Sequence, residues 1–263
     1  MHFVRANGGI VHYADEGPRS GRAIVFINSL GTDFRIWDDV AAPLVRDKRV
    51  IRFDKRGHGL SSHDVQAGSI ADFASDLAAL LDHLRSGPAT IVGLSIGGMI
   101  AQELYRLRPD LVASLVLNDT GHKIGTDEFW SGRIAAVESG GLDAIADAVM
   151  QRWLTEDYRT KYPDMVGGWK AMLSRTPKEG YLAACRAISK ADLTEGAKKI
   201  RTPTTVIVGD QDLSTPPDLA RELASLVPGA KLEIVQGAGH LPCIEKPVVL
   251  RSLIEAHLEW AAR

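Results

Sequence analysis

The chain has 263 residues, a formal net charge of −2, 45% hydrophobic residues and 24% charged residues. That length suits one large domain, alone or with an insertion, and the composition is that of an ordinary soluble globular protein. Balanced charge gives no footprint for nucleic acid or an anionic membrane as partner, and no apolar run approaches the ~20 residues a membrane span needs. Met1-His2-Phe3-Val4-Arg5 begins like a strand rather than like the apolar core of a signal peptide. Cys185 and Cys243 make neither a disulfide framework nor a metal-ligand pattern, so packed thiols in a reducing cytoplasm are expected.

Phe3-Val4-Arg5-Ala6 and Ile10-Val11-His12-Tyr13-Ala14 flank Asn7-Gly8-Gly9, a hairpin signal because Asn-Gly tolerates positive φ. Ala23–Ile27 is a continuous apolar run, as in a strand covered on both faces, and ends in the loop Asn28-Ser29-Leu30-Gly31. Arg49–Asp54 is the next strand, followed by the turn Lys55-Arg56-Gly57-His58-Gly59. Ser69 caps a helix whose period is kept by Ile70, Phe73, Leu77, Leu80, Leu81 and Leu84. Ala89-Thr90-Ile91-Val92 and Leu115-Val116-Leu117-Asn118 read as further buried strands. This alternation predicts an α/β fold with a mostly parallel twisted sheet flanked by helices.

From about Gly121 the strands stop. Trp130, Ile134 and Val137 share one helical face, Leu142 to Trp153 line a second, and Trp169, Met172 and Leu173 mark a third. Thr176-Pro177-Lys178-Glu179 has the form of a capping box opening a fourth. An inserted helical lid over residues 121–196 is therefore expected, with 1–120 and 197–263 forming the core; helices that merely extend the core are the alternative. Strands return at Thr204–Gly209 and Lys231–Val235, and helices follow Pro216-Pro217 and Pro247.

The chemistry is concentrated in Gly93-Leu94-Ser95-Ile96-Gly97. A G-x-S-x-G between a strand and a helix has the form of a nucleophile elbow, which thrusts the serine above the sheet on a strained backbone. The bland alternative is a Gly-rich turn with a capping serine. An elbow serine needs a base, and an acid to fix the tautomer of that base. Ser95, Asp212 and His240 follow in the required order, each just after a strand. Among the eight histidines only His240 lies in the Gly-rich loop after the last strand; His12, His83 and His257 fall on predicted strand or helix surfaces. Asp210 competes with Asp212 as the acid, but Asp212 lies further into the loop. The oxyanion donors are expected to be the Ile96 N–H and, from the loop after the first parallel strand, the Leu30 N–H. Asp54, Arg56, Gly57 and His58 are read as a structural turn.

The whole chain resembles the α/β-hydrolases. Asn28-Ser29-Leu30-Gly31-Thr32-Asp33 with Trp37, Asp54-Lys55-Arg56-Gly57-His58-Gly59-Leu60-Ser61, Gly93–Met99, Phe129-Trp130 with Arg133-Ile134, and Gly237-Ala238-Gly239-His240 narrow it to the 3-oxoadipate enol-lactonases of the β-ketoadipate pathway. Most relatives carry His-Gly where this chain has Asn28-Ser29, a departure that favours the enol-lactonases over a generic esterase. The decarboxylase domain fused to some such lactonases is not expected, because the last helix ends the chain. The resemblance implies hydrolysis of 3-oxoadipate enol-lactone by Ser95, Asp212 and His240, with no metal or organic cofactor. Attack by Ser95 and direct attack by water activated at His240 are both compatible with the residues. The lactone is anionic, and Arg133 on the first lid helix is the candidate to bind its carboxylate, with Trp130 covering the ring. The plainer reading is a solvated arginine beside a core tryptophan. Two other functions compete: an ester or carbon–carbon bond hydrolase on the same triad, and a ligand receptor of the same fold. A haloalkane dehalogenase is disfavoured, since its nucleophile is an aspartate.

Overall fold

The computed structural model describes residues 1–62 and 68–263. Strand β1 (His2–Ala6) turns at Asn7 and Gly8, at φ 46° and 83°, and returns as β2 (Gly9–Glu16) with Ala6 opposite Gly9. Two successive left-handed residues are what a two-residue type I′ hairpin requires, and Asn-Gly meets that need with little strain. The remaining described strands are β3 (Ile24–Ile27), β4 (Val50–Phe53), β5 (Ala89–Leu94), β6 (Val112–Asn118), β7 (Thr204–Gly209) and β8 (Lys231–Val235). They join one sheet in the order β1-β2-β4-β3-β5-β6-β7-β8. Pairing is antiparallel across β1/β2 and β2/β4 and parallel elsewhere. Every residue of β3, β4, β5 and β7 is buried, as expected of strands that are covered on both faces.

The connecting helices are α1 (Asp38–Leu44), α2 (Ile70–Leu84) and α3 (Ile96–Leu107). From β3 the chain moves one way along the sheet to β4, then reverses past β3 to β5. Right-handed crossovers therefore place α1 on one face and α2 and α3 on the other. The reversal leaves a crevice beyond the carboxyl ends of β3 and β5, where open α/β sheets bind ligands. At the start of α2, the Asp72 carboxylate accepts from the Ser69 N–H at 2.8 Å, closing the expected cap.

Between β6 and β7 lie α4 (Asp127–Gly140), α5 (Asp143–Trp153), α6 (Glu156–Lys161), α7 (Pro163–Ser174), α8 (Lys178–Ser189) and α9 (Thr194–Ala197). The core closes with α10 (Pro217–Leu226), α11 (Pro242–Glu245) and α12 (Pro247–Ala261), and α12 packs on α1. One local expectation fails. Thr176 does not cap α8; its hydroxyl donates back to the Met172 carbonyl at 3.3 Å, and the helix begins after Pro177 with no side-chain cap. The turn leaving α7 takes the hydroxyl that a capping box would need. Cys185, in α8, and Cys243, in α11, are both buried free thiols. No helix among the described residues is long and apolar enough to cross a membrane.

Candidate active site

Ser95 sits between β5 and α3 at φ 59°, ψ −120°. A residue with a side chain adopts such a backbone only where its surroundings enforce it. Here they do so on both sides. The Ser95 N–H donates to the Asn118 carbonyl at 3.0 Å, and the Ser95 carbonyl accepts from the Gly98 N–H at 2.9 Å and from the Thr120 hydroxyl at 2.6 Å. A Cβ on Gly93 would meet the Gly97 carbonyl oxygen at 2.2 Å, and one on Gly97 would meet the Ile27 carbonyl oxygen at 2.4 Å. The turn closes this tightly only with glycine at both places. Ile96 opens α3, so its N–H has no partner within the helix and points out of the helix N-terminus.

The loop after β3, the neighbour of β5, brings Leu30 to the same crevice. Its backbone is fixed from beneath. The fully buried Lys55 ammonium donates to the Ser29 carbonyl at 2.6 Å, the Thr32 hydroxyl donates to it at 2.9 Å, and the Asn28 amide donates to the Thr32 carbonyl. Burial pushes the Lys55 pKa down to about 7, against the opposing pull of Asp54 and Asp33.

Asp212 and His240 follow β7 and β8. His240 Nδ1 lies 2.9 Å from Asp212 Oδ2, and both side chains are buried. The Thr215 hydroxyl donates to the same Oδ2 at 2.6 Å, while the Ser214 and Thr215 N–H groups donate to Oδ1 at 2.7 and 3.1 Å. Burial alone would raise the Asp212 pKa; the His240 charge and these donors outweigh it and lower the value. Asp210 has a different task. Its Oδ1 accepts from the Gly237 N–H at 2.7 Å and the Ala238 N–H at 3.3 Å, bracing the loop that carries His240.

Ser95, His240, Leu30, Trp130 and Arg133 line one cavity of about 230 Å³, so all the sequence-derived site residues except the buried Asp212 and Ile96 face one space. Trp130 Nε1 donates to the Ile124 carbonyl at 2.7 Å, which fixes the indole in the wall. The Arg133 guanidinium donates to the Tyr181 hydroxyl at 3.2 Å and lies 4.9 Å from the Phe129 ring centre. Arg152 also lines the cavity and approaches the same ring at 5.1 Å. Burial, then the like charge of Arg133, lower the Arg152 pKa. Neither guanidinium forms a salt bridge among the described residues. Arg152 escapes the sequence reading because it belongs to no motif; only its place on the helix ending at Trp153 marks it.

The other histidines divide. His83 is exposed as expected, but His12 and His257 are buried rather than on surfaces. His12 Nδ1 pairs with Asp54 Oδ2 at 2.7 Å, and His257 Nδ1 with the Thr205 hydroxyl at 2.8 Å. Asp54 also accepts from the Phe34 and Leu60 N–H groups, each at 2.9 Å, which makes its turn a structural junction. A second buried carboxyl, Asp119 just after β6, joins Asp212 and His240, one polar atom from each lying within 4.8 Å of the others. The donors already on Asp212 and on Asp119 give this trio a hydrogen-bonding explanation, so its proximity alone does not argue for a metal.

The sheet topology, the turn at Ser95 and the Asp212–His240 contact are those of an α/β-hydrolase, and the chain belongs to that family: residues 22–247 match the model of the α/β-hydrolase fold. Within it, the chain is similar to the 3-oxoadipate enol-lactonases. It is 32% identical to 3-oxoadipate enol-lactonase 2 of Acinetobacter baylyi over 97% of each chain. An enol-lactonase from Burkholderia xenovorans superposes with a TM-score of 0.94 at 35% identity, covering 98% of this chain and 100% of that one. A thermophilic esterase from Thermogutta terrifontis, with malate bound, superposes at 0.93 with 27% identity and 99% coverage of both.

Proposed function

We propose that the protein hydrolyses 3-oxoadipate enol-lactone to 3-oxoadipate by a Ser95–His240–Asp212 triad, with the helices of residues 121–196 as a lid over the site. The observation that carries this reading is the Arg133 guanidinium, which has no carboxylate partner among the described residues and lines the same small cavity as Ser95 and His240. A carboxylate in a largely apolar pocket needs such a partner, and a planar guanidinium can meet it with two parallel hydrogen bonds. Similarity to enol-lactonases along nearly the whole chain supports the same substrate.

Ser95 Oγ attacks the lactone carbonyl while His240 takes its proton through the ring nitrogen not facing Asp212. The oxyanion forms toward the Leu30 and Ile96 N–H groups, a type of contact worth a few kcal/mol in the transition state. The ring C–O bond then breaks, and the imidazolium returns the proton to the enol oxygen. That leaving group stays tethered through the acyl chain. Water activated by His240 cleaves the acyl-enzyme, and the enol tautomerises to the ketone. The test is a spectrophotometric assay of enol-lactone opening with the purified protein. Turnover of simple esters with no opening of the enol-lactone would replace this substrate by an ester, the second reading that the esterase likeness favours.

A further inference from the structure

Four successive strands of the sheet, β5, β6, β7 and β8, end at the site. Three deliver Ser95, Asp212 and His240; the fourth, β6, delivers Asp119, to which the catalytic scheme above gives no part. Asp119 is fully buried and held at φ 42°, in the left-handed region that aspartate and asparagine enter more readily than other side chains. Its backbone N–H donates to the Ile207 carbonyl at 2.7 Å, and its Oδ1 accepts from the Gly209 N–H at 2.8 Å. Its Oδ2 is buried and meets no donor among the described residues. No cation pairs with it there either. The Asp119 carboxyl lies within 4.8 Å of the Asp212 carboxylate and of a His240 ring nitrogen, and Asp212 already has Ser214, Thr215 and His240 as donors.

A buried carboxylate oxygen with no protein donor or cation, close to a second carboxylate, is satisfied when the two share a proton. We propose that Asp119 is a positioning residue, a neutral carboxylic acid that donates its proton to the Asp212 carboxylate and so fixes the group that orients His240. Burial, and then the Asp212 charge, push the Asp119 pKa well above the usual carboxylate range, which agrees with the geometry. Glu245 and Cys243 are the other titratable groups bearing on this pocket. Glu245 is held by the Thr155 and Gly239 N–H groups at 2.9 and 2.6 Å and offers Asp119 no proton.

The charge count makes the arrangement useful. With Asp119 neutral, the two facing carboxyls carry one negative charge between them, on Asp212. That charge matches the single positive charge His240 gains when it takes the serine proton. A second ionised carboxylate would leave a buried negative charge that the single positive charge gained by His240 does not balance.

The inference rests on the triad reading, but its first test needs no substrate. Infrared spectra of the wild-type protein at pH 8 are expected to contain the carbonyl band of a protonated carboxylic acid. The band should shift when aspartate is carbon-13 labelled at its carboxyl, and vanish in Asp119→Asn. A spectrum without that band, or one whose band survives in Asp119→Asn, overturns the proposal. The second test uses a nitrophenyl ester as probe. Asparagine can still donate to Asp212 and accept from Gly209, so Asp119→Asn should keep kcat/KM within about three-fold and leave its rising pH limb in place. Asp119→Ala removes the donor and should lower kcat by about ten-fold or more. Equal losses in the two variants, or a rising limb moved by about one pH unit in Asp119→Asn, would make Asp119 an ionised partner instead. If the lactone is not a substrate, the infrared result still stands or falls by itself.

Discussion

Gly57 and Gly180 touch backbone to backbone: a Cβ on Gly180 would stand 2.3 Å from the Gly57 carbonyl oxygen, and one on Gly57 would stand 2.5 Å from the Gly180 Cα. This contact seats α8 on the turn after β4. Gly180 is the third residue of α8, and replacing a helical glycine by alanine ordinarily stabilises by up to about 1 kcal/mol. Here the methyl group meets backbone that cannot step aside, so Gly180→Ala should destabilise by about 1–3 kcal/mol. Thermal unfolding followed by circular dichroism gives the sign directly. A raised Tm would mean that α8 shifts freely on the turn.

On the proposed mechanism, the backbone strain at Ser95 serves catalysis and not folding. Ser95→Gly should abolish turnover and raise Tm, because glycine adopts φ 59° without penalty. Ser95→Ala should lose turnover by about 10⁴ or more while keeping the strain and a Tm near that of the wild type. Residual activity of a tenth in Ser95→Ala would end the serine mechanism.

Asp212 and Asp210 are two residues apart yet differ in what they hold. Asp212→Asn should lower kcat by about 10⁴, since an amide facing His240 Nδ1 favours the wrong tautomer. Asp210→Asn keeps a carbonyl oxygen for the Gly237 and Ala238 N–H groups and should cost far less. Steady-state kinetics of both variants on one substrate rank them, and a reversed ranking would move the acid to Asp210.

For an anionic lactone, Arg133→Ala should raise KM by about ten-fold or more, the loss of a charge-assisted pair. A neutral ester of similar size should be nearly unaffected. Arg152→Ala removes the like charge beside Arg133 as well as a second cation in the cavity. Its KM effect should be smaller than that of Arg133→Ala. Equal effects of Arg133→Ala on charged and neutral substrates would assign that arginine to supporting the helices.

Lys55 gives stability a pH dependence whose sign is fixed by its burial. Its pKa is about 7 in the folded chain against 10.5 for a free lysine. Between those values the unfolded chain binds more protons than the folded one, so this group makes stability rise with pH from about 7 to about 10. Lys55→Met should flatten that rise in urea unfolding series across the same range. An unchanged slope would show that the ammonium stays charged in the fold.

The sheet was legible because buried parallel strands leave apolar and β-branched runs, as in Ile24–Ile27 and Thr204–Gly209. The elbow and the order of Ser95, Asp212 and His240 were legible because each is tied to a strand end. Helix α6 left no such trace: it buries no residue, so it has no apolar period, and only Thr155, accepting from the Tyr158 N–H at 3.2 Å, announces it. Thr176 illustrates the opposite failure, a local pattern satisfied on paper and overruled by the turn before it. His12 and His257 look like surface residues in alternation, yet each meets a polar partner from a distant segment. Asp119 follows a strand just as Asp212 does; its significance emerges only when β6 and β7 lie side by side.

The two thiols form a pair of internal clocks. Cys185 belongs to the helices between β6 and β7, and Cys243 to the short helix just after His240. Both are sealed, and burial raises the pKa of each, that of Cys185 to about 12. An alkylating reagent therefore reaches either sulfur only during an opening of the structure around it. Peptide mass spectrometry of partly labelled protein would resolve the two rates without any substitution. Their ratio measures how often the helical segment loosens while the sheet stays closed, and a substrate analogue that binds between the two would slow the Cys185 clock first.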